Sequence, residues 1–238
     1  MKKLCLPILL LVVVGLLASC IIFPVLIGNG NLVNLEKTVP SFEKLSGSGS
    51  AELLYHASQE YRVVVTTDSN LIDYVDIVTK NGVLSVKFKG NKSYSYTRFI
   101  IDVYCPTLSG VSISGSASFT GSDKIVTSTF DADVSGSGRI DGTIECNNVS
   151  AKISGSGRIN IIGSGKNANI NISGSGKFIG NEFRVEDAVV DMSGSADASI
   201  WATNNLRVKI SGSGRLNYRG RPLIDSKISG SGRITSME

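Results

Sequence analysis

Val134-Ser-Gly-Ser-Gly-Arg-Ile140 is the stretch that decides the fold. The phrase runs apolar residue, Ser-Gly-Ser-Gly, long polar residue, apolar residue. It returns with small variations from Ile113, Ile153, Ile172, Met192, Ile210 and Ile228, and successive starts lie 18 to 21 residues apart. A unit this short encloses no core of its own, so the copies must stack. Gly in a helix interior costs about 1 kcal/mol relative to Ala, and Ser, Val and Ile are weak helix formers, which leaves strands as the stacked element. The spacing suits one coil of a parallel β-helix. The expected fold is all-β: a single-stranded right-handed parallel β-helix with a β-rich N-terminal cap. The hand follows the usual chirality of parallel crossovers.

Period-two alternation places Val134, Gly136, Gly138 and Ile140 on one face, and Ser135, Ser137 and Arg139 on the other. The two glycines then mean either close approach of the opposite wall or a bend at positive φ. Further inward positions are read at Ile144, Val149, Ile161, Ile170, Phe183, Val185, Val189, Leu206 and Val208. Asn147-Asn148, Gly163-Ser-Gly165, Gly180-Asn181 and Asn204-Asn205 read as turns that tolerate positive φ.

If like positions align, two outward columns result. One is a flat lattice of hydroxyls, with Ser135, Ser137, Ser154 and Ser156 as its type residues, repeating about every 4.8 Å. The other is Ser118, Arg139, Arg158, Lys177, Asp197, Arg215 and Arg233, a cationic edge interrupted by Asp197. Such an edge either binds an acidic polysaccharide or phosphate-bearing polymer, with serines bonding to sugar oxygens, or simply ends strands with soluble residues.

Residues 34–109 differ. Leu45-Ser-Gly-Ser-Gly49 is the one faint copy of the phrase, and Tyr61–Thr66, Gly82–Phe88 and Arg98–Tyr104 read as ordinary strands, with Asn81-Gly82 as a turn and Asn70–Val75 as a helical turn. This segment caps the stack, because an open row of strand amides invites another chain. The other end, beyond the coils of 110–238, is bare unless the Arg219-Gly-Arg-Pro222 loop crosses it, so homo-oligomerisation is left open.

The N-terminus has a basic start, an apolar run from Leu4 to Leu17, and Leu17-Ala-Ser-Cys20. This pattern reads as a signal peptide over 1–19, followed by an anchor and linker over 20–33. The tetrapeptide resembles a bacterial lipobox, which would make Cys20 the lipidated residue. The competing reading is an uncleaved membrane span from Leu4 to Ile27. Both place the rest in the cell envelope outside the cytoplasm, held to a membrane.

Composition excludes much. The chain has 238 residues, one His, and 24 Lys+Arg against 20 Asp+Glu, a net charge of +4. One imidazole rules out multi-histidine metal sites, and Ser-His chemistry would have to run through His56. The charge is too weak and dispersed for a nucleic-acid partner. Asp131 with Asp133, Glu186 with Asp187, and Asp191 with Asp197 are the only acid pairs to consider, and their spacing does not converge several acids in one groove. No metal site, cofactor or enzymatic activity is expected. Trp201 and Tyr218 are either sugar-stacking rings or core fillers. Cys105 and Cys146 are either a disulfide or two buried thiols.

The chain resembles a bacterial envelope family, the putative auto-transporter adhesins with a head GIN domain. The resemblance spans about residues 34–238. It rests on Val39-Pro-Ser-Phe-Glu-Lys-Leu-Ser-Gly47, Val63-Val-Val-Thr-Thr-Asp-Ser-Asn-Leu-Ile72, Asn81-Gly-Val-Leu-Ser-Val86, Ile101-Asp-Val-Tyr-Cys-Pro-Thr-Leu108 and Tyr218-Arg-Gly-Arg-Pro222. It implies an extracytoplasmic right-handed β-helix with an adhesive role and brings no catalytic residues. The expected function is a membrane-anchored module binding a glycan or another envelope component, against a purely structural envelope protein or a carbohydrate-active enzyme.

Overall fold

The computed structural model describes residues 25–90 and 92–237. The segment read as a signal peptide and Cys20 lie outside them. The chain is a parallel β-solenoid of about 7 turns, and nearly every element is a strand. One face stacks Gly110–Gly115, Thr129–Gly136, Asn148–Gly155, Asn167–Gly174, residues 187–194, residues 205–212 and Leu223–Gly230. The second stacks Ser118–Gly121, Arg139–Glu145, Arg158–Ser164, residues 177–185, residues 197–202, Arg215–Arg219 and Arg233–Ser236. The Ser-Gly-Ser-Gly phrase is the corner between the two faces.

The two glycines of the phrase have different jobs. The first sits at the corner with positive φ: +112° at Gly136, +117° at Gly155 and +110° at Gly174. A Cβ on Gly155 would lie 2.6 Å from the Gly136 carbonyl oxygen of the preceding coil. The second is buried and faces inward, where a Cβ on Gly157 would lie 2.3 Å from Cγ1 of Val134. Period-two alternation therefore fails at the first glycine, because the strand bends there, and holds at the second. Around them Val134, Ile140, Ile144, Ile153, Ile159 and Ile161 pack into one continuous core.

Other expectations shift by small amounts. The coil starting at Lys44 carries a full copy of the phrase two residues later than expected: Gly47 pairs with Ile113 and Leu53 with Phe119. Gly47 thus stands where other coils place an aliphatic side chain. Val190, not Val189, points inward. Among the described residues Asn81 is the one non-glycine at positive φ, so the asparagines read as turns do not serve that way. Asn148 and Asn205 bond between coils instead, Asn148 Oδ1 accepting from Asn167 Nδ2 at 2.8 Å and Asn205 Nδ2 donating to Asp187 Oδ1 at 2.6 Å, whereas Asn147 does sit at a bend between strands.

At the N-terminal end the ladders change direction. Val83–Phe88 and Ile100–Cys105 continue the two faces in parallel, and antiparallel strands then close them: Val75–Lys80 on one, Arg62–Asp68 and Leu32–Thr38 on the other. Ile72–Tyr74 is a 3-10 turn. Val25–Ile27 pairs with Ser93–Ser95, and Leu32–Thr38 begins within the segment read as linker. Asp68, fully buried, ties these pieces together. Its carboxylate accepts from the Gly30 N–H at 2.6 Å, the Thr97 N–H at 2.8 Å and the Thr97 hydroxyl at 2.9 Å. Burial by itself would raise its pKa, but the bonds from Thr97 and Gly30 outweigh burial and hold the carboxyl below the usual range.

Two outcomes follow. Gly155→Val should destabilise by roughly 3 kcal/mol or more, since it combines a left-handed backbone with an overlap on a carbonyl; a wild-type melting temperature would contradict the corner assignment. Asp68→Asn should cost about 1–3 kcal/mol at neutral pH. Because the native carboxyl titrates lower than the unfolded one, its stabilisation is present above about pH 4 and is lost as pH falls through the depressed value. The Asn variant should therefore show a shallower acid limb in urea titrations taken at a series of pH values.

Candidate functional site

On the outside of the first face, a groove of about 770 Å³ runs along the solenoid axis. Two outward columns line it. One is the first serine of the phrase: Ser114, Ser135, Ser154, Ser173, Ser193 and Ser211. The other is the residue just before the phrase: Ser112, Asp133, Lys152, Asn171, Asp191 and Lys209. Between them runs the column of Ile113, Val134, Ile153, Ile172 and Met192, whose side chains are buried. The hydroxyl surface is thus a trough rather than a flat lattice. Its charged wall alternates in sign, and Ser112 Oγ lies 3.4 Å from Asp133 Oδ2 of the next coil. With strands about 4.8 Å apart, the wall offers a polar group at each step along the axis.

The corner separates residues that the sequence reading grouped together. Ser135 and Ser154 line the groove, whereas Ser137 and Ser156 lie past the corner glycine and do not. The cationic column forms in register, from Ser118 through Arg139, Arg158, Lys177, Asp197 and Arg215 to Arg233, but on the second face. Two of its cations are partly neutralised within the column or beside it: Arg139 Nε lies 3.5 Å from Asp141 Oδ2, and Arg215 3.6 Å from Asp197 Oδ1. The wall of Asp133, Lys152, Asn171, Asp191 and Lys209 was missed as a site. Its signal was present, since a polar residue precedes the aliphatic one in almost every copy.

The remaining chemical candidates are accounted for locally. His56 Nε2 lies 2.8 Å from Asp102 Oδ1, its ring stacks on Tyr104 at 4.8 Å, and the Arg62 guanidinium lies 4.0 Å from the Tyr104 centroid. This stack belongs to the N-terminal cap, and none of its members lines the groove. Asp131 pairs with Lys44 at 2.8 Å. Of the acid pairs read in the sequence, Asp131 and Asp133 both point outward from one strand, whereas Asp191 and Asp197 stand on different faces. Among the described residues no three His, Cys, Asp or Glu side chains converge as a metal site would require. Cys105 and Cys146 are free thiols, pushed up by burial to about 12 and about 11. Trp201 is half-buried, with the Arg219 guanidinium 4.6 Å and that of Arg184 5.8 Å from its ring centroid. Tyr218 packs partly against the core.

A capped parallel solenoid with a packed interior and an axial outer groove is a repeat protein whose working surface is its exterior. The chain belongs to the family described as putative auto-transporter adhesin, head GIN domain, which matches residues 41–222. Solved structures of bacterial proteins share the architecture. A putative lipid binding protein from Parabacteroides distasonis is 26% identical with a TM-score of 0.77, over 90% of this chain and 100% of that one. A putative adhesin from Parabacteroides merdae is 25% identical with a TM-score of 0.75, over 90% and 99%. Another, from Bacteroides fragilis, is 19% identical with a TM-score of 0.83, over 89% and 100%, and shows the fold alone. No curated protein matches the chain.

Proposed function

We propose that the chain is an adhesin-type binding module of the bacterial envelope, held to a membrane through its N-terminal segment. Its binding surface is the serine-lined groove, and its ligand is an extended polyhydroxylated polymer such as a glycan. The observation that carries this reading is the groove itself, whose two columns present hydroxyl, carboxylate, ammonium and amide groups at one regular spacing along the axis. A polymer with a short repeat can meet the same geometry at successive coils, so weak contacts add along its length. The family's description as adhesins supports the class of function. The Parabacteroides distasonis relative, described as lipid binding, raises a lipid instead. Most of the groove's lining surface is carbon, which suits the apolar faces of sugar rings, while its hydroxyl, carboxylate, ammonium and amide groups can meet their hydroxyls; the interior of the repeat coils is filled by its own aliphatic and aromatic side chains.

The cationic column of Arg139, Arg158, Lys177, Arg215 and Arg233 is a neighbouring surface that would select acidic polymers. Two variants separate the surfaces. Ser154→Trp with Ser173→Trp fills the groove from two outward, exposed positions and should abolish retention on a glycan array while the melting temperature changes little. Replacing Arg139, Arg158 and Arg215 together with Ser should reduce retention only on acidic glycans. Retention lost with the arginines and kept with the tryptophans would move the site to the second face. For the anchor, Cys20→Ser should abolish incorporation of a fatty-acid analogue; no label in the parent chain would favour an uncleaved span.

A further inference from the structure

The solenoid ends differ. The N-terminal end is closed by antiparallel strands, and its outer strand, Leu32–Thr38, carries exposed Glu36 and Lys37, charges that discourage further pairing. At the C-terminal end of the described residues the outermost strand of the first face is Leu223–Gly230, which pairs with residues 205–212. Ile224 and Ile228 stand in the columns of Leu206 and Ile210, which are 0% and 1% exposed, yet they are 43% and 42% exposed themselves. A row of free strand amides therefore borders two uncovered core side chains.

We infer that this end docks a second copy of the chain, tail to tail, by antiparallel pairing of Leu223–Gly230 with itself about Ser226. The register follows from the sequence Leu223-Ile-Asp-Ser-Lys-Ile-Ser-Gly230. An antiparallel two-fold at Ser226 sets Ile224 opposite Ile228 of the partner subunit on the inward side. It sets Asp225 opposite Lys227 of the partner subunit on the outward side. Both pairs occur twice by symmetry. The charges make the fit specific. Asp225 already lies 3.2 Å from Arg207 Nε below it, so a cation above completes an alternating row. Lys227 stands over Lys209 in its column, a like-charge step that an acid from the partner relieves. Because the two-fold uses the same edge on both copies, the contact closes at a dimer instead of growing into a fibre. The inference is independent of what the groove binds.

The test uses the full chain solubilised from membranes in mild detergent, with mass measured by sedimentation over a concentration series. A dimer is expected. Asp225→Lys alone and Lys227→Asp alone each place like charges opposite one another twice and should weaken dimerisation about tenfold or more, whereas the double exchange should restore it. Ser226→Cys should also give a disulfide-linked dimer that the parent chain lacks, since directly opposed strand residues have Cα atoms about 4.5–5.5 Å apart, within disulfide range. A monomer throughout would overturn the proposal. So would a dimer indifferent to both single exchanges, which would assign association to another surface such as the N-terminal apolar segment.

Discussion

Everything in this fold depends on how closely one coil can approach the next at the Ser-Gly-Ser-Gly corner. The carbonyl of the first glycine accepts the N–H of the second serine one coil on: Gly115 from Ser137 at 2.8 Å, Gly136 from Ser156 at 2.9 Å and Gly155 from Ser175 at 2.9 Å. The second glycine, or the alanine in its place, accepts from the long polar residue in the same way, as Gly138 does from Arg158 at 2.9 Å. The backbone ladder thus continues around the bend, where a chain with side chains at these positions would leave buried polar groups unpaired. A Cβ at the first glycine would also intrude on the very carbonyl that accepts this bond. The absence of a side chain is therefore what keeps successive coils at strand spacing.

Rigid spacing at the corner explains why the outer surface falls into columns. Once Gly136 is locked over Gly115 and under Gly155, the residues on either side have no freedom to slip. The strands leaving the corner keep one-to-one register from Gly110 to Gly230 on the first face. The groove inherits that regularity: its serines are the corner's own flanking residues, and its second wall is two residues upstream on the same strand. The same order brings like charges together on the second face, where Arg139, Arg158 and Lys177 succeed one another, and Asp197 then interrupts the row and pairs with Arg215.

Much of this was legible in the sequence because the phrase repeats. Its period and residue types implied a parallel stack, and the alignment of Arg139 with Arg158 followed from that alone. What escaped the reading is tied to particular residues. Strict alternation assumes a straight strand, and the bend at Gly136 breaks it, so Ser135 and Ser137 part company although Gly136 alone separates them. The wall of Lys152 and Asp191 was hidden because the phrase was taken to start at its aliphatic residue. In the first coil Gly47 replaces that aliphatic, and the eye settles on Leu45, two positions early. Asn148 and Asn205, turn residues by propensity, lie in strands, where parallel stacking offers each an amide bond across coils.

Variation in coil length has to be absorbed somewhere, and its location bears on which surface carries recognition. Where the register shifts, it does so away from the phrase, between Asn160 and Ile162, between Gly180 and Arg184, and between Val185 and Asp187. These breaks lie toward the far end of the second face, and Trp201 with its two arginines sits among them. A ligand read by periodic contacts needs a wall whose steps are equal, because one displaced coil spoils every contact beyond it. The first face meets that requirement, and the second meets it only beside the corner, where the cationic column stands. The regularity that fixes the backbone at the glycines is thus the same property that makes the adjoining groove fit for a repeating ligand.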